Sequence, residues 1–100
     1  MSLQAAFLFL VGDAGPGTRA VVSTPSIDLN VIGCKNYAEA EQAARDMAAK
    51  GVTAIELCAG FGNDGIARVQ KAAGPAVAVG AVKFDFHPAL GFKSGDAFFG

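Results

Sequence analysis

One hundred residues with a formal net charge of −1 fit one domain, and no cluster of lysine or arginine supplies the basic face that nucleic acid requires. No apolar run reaches the roughly 18 residues of a membrane span, and two cysteines, Cys34 and Cys58, make no disulfide framework. Apolar residues make up 52% and charged residues 17%, against about 45–50% and about 25% in ordinary domains; a small core cannot hold the excess, so a cytoplasmic homo-oligomer with free thiols is expected.

Residues 5–11 (AAFLFLV) are apolar throughout, the pattern of a strand covered on both faces. A glycine-rich breaker follows at 12–17. Residues 19–24 read as a strand ended by Pro25. Residues 27–33 alternate, with Ile27, Leu29 and Val31 on one face and Asp28 and Asn30 on the other, as in a half-covered strand at an edge. The spacing of Tyr37, Ala40, Ala44, Met47 and Ala48 predicts a helix over 37–50. Asn36 caps it, Glu39 suits a return contact, and Gly51 stops it. Glu41 with Arg45, and Asp46 with Lys50, stand at i,i+4 on its wet face.

A strand is expected at 52–57, a helix at 64–73 with Ile66, Val69 and Ala73 inward, and a strand at 76–82. Two strand–helix–strand units sharing a strand point to parallel crossovers. The fold class is therefore α/β, a mostly parallel or mixed sheet of four or five strands layered with two helices, in one domain over 1–100. Residues 83–100 read as loop.

Ligands of open α/β sheets sit beyond the carboxyl ends of the strands. Alternation puts Glu56 and Cys58 on one face of the strand at 52–57. It puts Lys83, Asp85 and His87 on one face of the next strand, provided that strand continues past 82. Glu56, Cys58, Asp85 and His87 then converge at one rim, with Cys58 as nucleophile, His87 as its base, Asp85 as orienter and Glu56 as a second acid or base. Beside them Gly60-Phe61-Gly62-Asn63-Asp64-Gly65 follows a strand and opens a helix. Its backbone N–H groups suit a small anionic ligand, with Gly60, Gly62, Asn63, Lys83, Lys93 and Ser94 as binding candidates. The G-x-G-x-x-G spacing falls too late in the chain for a dinucleotide fold, and Cys58, Asp85 and His87 lack metal-ligand spacing. No cofactor or metal is expected. The same residues also suit a non-catalytic homo-oligomeric or partner-binding protein, and composition does not separate the two.

The string 55–62 (IELCAGFG), taken with Phe84-Asp85-Phe86-His87-Pro88, Lys93-Ser94-Gly95-Asp96 and the helix start Lys35-Asn36-Tyr37, resembles a family of small, functionally uncharacterised bacterial proteins, a domain of unknown function. The resemblance covers nearly the whole chain. It implies that these strings belong together, and it brings no activity or cofactor.

Overall fold

The computed structural model describes residues 2–100. Strands β1 (Leu3–Leu10), β2 (Arg19–Thr24), β3 (Ile27–Cys34), β4 (Ala54–Leu57) and β5 (Ala78–Ala81) form one sheet in the order β2-β3-β1-β4-β5. β1 pairs in parallel with β3 and with β4, and β4 with β5. β2 is antiparallel to β3 and forms one edge. The sheet is thus mixed, and the fold is α/β as the element order predicts.

Helix α1 (Tyr37–Ala49) carries the chain from β3 to β4, passing β1, and α2 (Asn63–Ala73) carries it from β4 to its neighbour β5. α1 starts because the Asn36 side chain accepts the Glu39 N–H at 2.9 Å while Glu39 Oε1 accepts the Lys35 N–H at 2.8 Å. Gly51, at φ +92°, takes the left-handed turn that follows the helix. The i,i+4 ion pairs expected on α1 do not form. Glu41 reaches across to Arg68 of α2 at 2.8 Å, and Arg45 and Asp46 both turn to Gln42.

Both helices lie on one face of the sheet. Leu8, Ile32, Tyr37, Ile55, Leu57 and Val69 make a single core there. Burying each such side chain contributes about 1.5–3 kcal/mol. Two expectations about the sheet need correction. β1 is covered by helix on one face only, although its sequence is apolar on both. β3 is not an edge strand, since β2 pairs along its outer side. The helix-facing set on β3 is the one that includes Asp28, Asn30, Ile32 and Cys34, whereas Ile27, Leu29 and Val31 face away from the helices. The polar members of the inner set are tied down. Asn30 Nδ2 donates to the Ala5 carbonyl at 3.1 Å, and Asp28 accepts from Gln4 at 2.6 Å.

The tail also departs from a plain loop. It makes a short 3-10 turn at Pro88–Leu90 and a four-residue helix, α3 (Asp96–Phe99). None of the helices is long and apolar enough to cross a membrane.

Candidate functional site at the carboxyl edge of the sheet

β4 and β5 are neighbours, as the convergence of Glu56, Cys58, Asp85 and His87 requires. The strand does not continue past Ala81, however, so alternation carries no further. Glu56 is exposed on the face away from the helices. Cys58 packs against the core, and its Sγ accepts the Gly60 N–H at 3.4 Å. Asp85 pairs with Lys83 at 3.1 Å. The Ser94 hydroxyl and the Lys83 ammonium hold the Asp85 carboxyl below the usual carboxylate range. His87 caps the 3-10 turn, with Nδ1 accepting the Ala89 N–H at 3.1 Å. Its ring lies 5.1 Å from Phe84, and its backbone bridges to Lys93. Among the described residues, no hydrogen bond joins any two of Glu56, Cys58, Asp85 and His87.

Beside the glycine-rich turn a carboxylate of the chain itself is bound, on the N–H groups of Asp64 and Gly65, whereas the Gly60 N–H goes to Cys58 and the Gly62 N–H to Tyr37. Asp96 reaches back from the tail, so that Oδ2 accepts the Asp64 N–H at 3.1 Å and Oδ1 accepts the Gly65 N–H at 3.2 Å. Asp64 and Gly65 belong to the first turn of α2, where free N–H groups and the helix dipole favour a carboxylate. Tyr37 completes the arrangement, its hydroxyl donating to Asp96 at 2.6 Å and accepting the Gly62 N–H at 3.0 Å. Gly60 is buried beneath the tail, and a β-carbon on Gly95 would overlap the Gly60 carbonyl oxygen. Ser94 Oγ accepts the Asp96 N–H at 3.1 Å and fixes the turn from which the carboxylate projects. Asn63, first residue of α2, and Lys93 remain exposed.

Tyr37 and Asp96 are thus central residues that sequence reasoning did not single out. Their strings were associated only by resemblance, and the contact explains why they belong together. Tyr37 is fully buried, stacked on Phe61 with 5.8 Å between ring centroids and an interplanar angle of 10°, with Arg68 5.3 Å from its ring centroid on the cation–π side. Burial and the neighbouring Asp96 push its hydroxyl above the usual tyrosine value, so it stays protonated and donates.

Burial raises the Asp96 pKa, but the Tyr37 hydroxyl and the Asp64 and Gly65 N–H groups outweigh it, and the net shift is below the ordinary 3.8. A carboxylate depressed in the folded state contributes stability above its unfolded pKa and loses it as pH falls through the folded pKa. Wild type is therefore expected to melt well above Asp96→Asn at pH 6, and the gap between them should narrow as pH falls through and below 3.8. Thermal melts of both proteins across this range check it; a gap constant with pH would remove the charge from the account.

A separate cleft of about 330 Å³ opens at the same edge of the sheet, between the β1–β2 loop and α1. Ala14, Pro16, Arg19, Lys35, Glu39 and Asp46 help to line it. Cys34 lies buried in its wall, its thiol pushed up to about 11, chiefly by burial and then by Glu39. A thiol so shifted is protonated at neutral pH and a poor nucleophile. Among the described residues, no group of His, Cys, Asp and Glu is arranged to hold a metal ion.

No curated protein and no solved structure matches the chain. One family profile does, over residues 3–97, which takes in every strand, α1, α2 and the Asp96 seat. The chain belongs to that family, the family of unknown function DUF6506.

Proposed function

We propose that this domain works by association rather than catalysis, as a homo-oligomer. The observation that carries the reading is the amount of large apolar side chain left in water. Leu3, Val21, Val22, Phe86 and Phe92 are exposed, Phe86 by 71%. Isolated exposed apolar residues are ordinary, but here they accompany a charged fraction of 17% in 100 residues. A self-associating surface is the usual use of such material. Several polar groups at the carboxyl edge support the same reading, because they are engaged within the chain: Asp96 on α2, His87 on its own turn, Lys83 on Asp85.

Size-exclusion chromatography with light scattering tests this at micromolar concentration. At least twice the chain mass of 10.1 kDa is expected. The rival reading is a small anionic ligand held in the cleft by Arg19 and Lys35. A monomer of 10.1 kDa whose melting temperature rises by several degrees in millimolar phosphate would favour it and overturn the assembly reading.

A further inference from the structure

The two edges of the sheet are built differently. β5 is four residues long and includes Gly80, which makes it a poor template for another strand. β2 has six residues, RAVVST, paired with β3 in unbroken register and exposed along its whole length. It contains no proline, no bulge and no lysine, the devices with which sheets usually discourage pairing at an edge.

The direction of its peptide groups follows from one bond. The Gly33 N–H donates to the Thr18 carbonyl at 2.8 Å. Thr18, Ala20, Val22 and Thr24 therefore turn their backbone toward β3, and alternation turns Arg19, Val21 and Ser23 outward. The Arg19 N–H is already given to the Gly17 carbonyl at 2.8 Å. The N–H groups of Val21 and Ser23, and the carbonyls of Arg19, Val21 and Ser23, point past the last strand of the sheet. Charge is placed at the two ends of this row. Arg19, Val21 and Ser23 stand on the helix-bearing face, in register with Ile32, Asn30 and Asp28. Among the described residues neither Arg19 nor Asp28 makes an ion pair, and Asp28 accepts from the neutral side chains of Gln4 and Ser2.

We propose that a second copy of the chain pairs along this edge, β2 antiparallel to the partner's β2 about a two-fold axis through Val21, so that the two sheets run on as one. The proposal rests on the assembly reading and names its surface. Such an axis stands normal to the sheet and keeps the helices of both copies on one side. Residues opposite each other must share a face, so only alternate registers are open. Centring on Val21 overlaps the strands from end to end. Val21 meets the partner's Val21, Arg19 meets the partner's Ser23, and Ala20 meets the partner's Val22. Each outward N–H then finds an outward carbonyl, Val21 on the partner's Val21 and Ser23 on the partner's Arg19. Val21 and Val22, 60% and 57% exposed in the single chain, gain apolar neighbours.

Charge selects the same register. Arg19 lies opposite the partner's Ser23, and the partner's Asp28 stands just beyond it. Two strand spacings put ~10 Å between those α-carbons, a gap that an extended arginine and an aspartate bridge across the small serine. Each lone cation thus meets the lone anion of the other copy. Centring on Val22 instead would set Arg19 against the partner's Pro25 and forfeit the pair. The contact is isologous and closes after two copies. One strand pair is a small interface, which places the dissociation constant on the order of micromolar.

The test follows amide exchange of the full chain through the micromolar range, beside sedimentation velocity of the same samples. The Val21 and Ser23 amides should exchange freely in the monomer and gain at least tenfold protection as the dimer forms. Those of Ala20 and Val22, bonded to β3 in both states, should not change. Val21→Pro removes an outward N–H and leaves the bonds to β3 in place. Folded by circular dichroism, it should dimerise at least tenfold more weakly. Arg19→Gln should weaken the dimer several-fold and abolish the salt dependence of the wild type. A wild type that is monomeric throughout overturns this inference and the assembly reading together. An oligomer whose Val21 and Ser23 amides exchange as freely as the monomer's, or a folded Val21→Pro protein that associates like wild type, overturns the edge pairing alone.

Discussion

Tyr37→Ala is expected to lose about 3–5 kcal/mol of stability, the cost of truncating a buried aromatic. That is a large part of the roughly 5–15 kcal/mol that holds a domain together. The ring is fully buried and touches three parts of the fold at once: Phe61 of the β4–α2 turn, Phe99 of α3 and Arg68 of α2. Removing it leaves a cavity where these meet and withdraws the hydroxyl from both Asp96 and Gly62. At about 4–8 °C per kcal/mol for a chain of this size, the melting temperature should fall by roughly 12–40 °C. Tyr37→Phe separates the two contributions. It keeps the stack and loses only the hydroxyl, at a cost of about 1–3 kcal/mol. Urea unfolding of both variants checks the ranking, and equal losses would mean that the ring packing contributes nothing beyond its hydrogen bonds.

Gly95→Ala should release the tail. The new methyl group would lie on the Gly60 carbonyl, and backbone meets backbone there, so no side chain is free to move aside. Overpacking of a well-filled site costs about 1–3 kcal/mol. The tail escapes the clash only by undocking, and that takes Asp96 off α2. Hydrogen exchange reads this locally. The amides of Gly62, Asp64 and Gly65, which donate to Tyr37 and Asp96, should lose protection, while those of β1 and β3 keep theirs. Retained protection at all three amides would show that the tail accommodates the methyl group in place.

The sequence is legible wherever local chemistry decides the structure. Asn36, Glu39 and Gly51 mark the ends of α1 through contacts within a few residues, and the structure contains them. The strand order was not legible, because β3 finds β1 rather than an edge and no local signal encodes that choice. Alternation on β3 separates two faces correctly without saying which one the helices cover. The apolar set Ile27, Leu29 and Val31 looked like the core face and is the open one. That, among the described residues, no hydrogen bond joins Glu56, Cys58, Asp85 and His87 has a related reason. Alternation holds only while a ladder holds, and beyond Ala81 the chain turns, so His87 follows its own 3-10 turn rather than the face of β5. The glycine spacing draws attention to Gly60, Gly62 and Asn63, while the carboxylate seat is made by the N–H groups of Asp64 and Gly65. Its occupant lay 31 residues beyond Gly65 in the chain, a separation at which sequence pattern has no reach.

The bond from Tyr37 to Asp96 spans 59 residues, and this has a consequence for the order of folding. β1, β3 and α1 come from the first half of the chain and can pair early. The first turn of α2 waits for its counter-charge. On a ribosome, a nascent chain whose sheet has already emerged still exposes the N–H groups of Asp64 and Gly65 until residue 96 clears the exit tunnel. Closing so long a loop costs entropy before any contact repays it. The tail should therefore dock last during synthesis and leave first on unfolding.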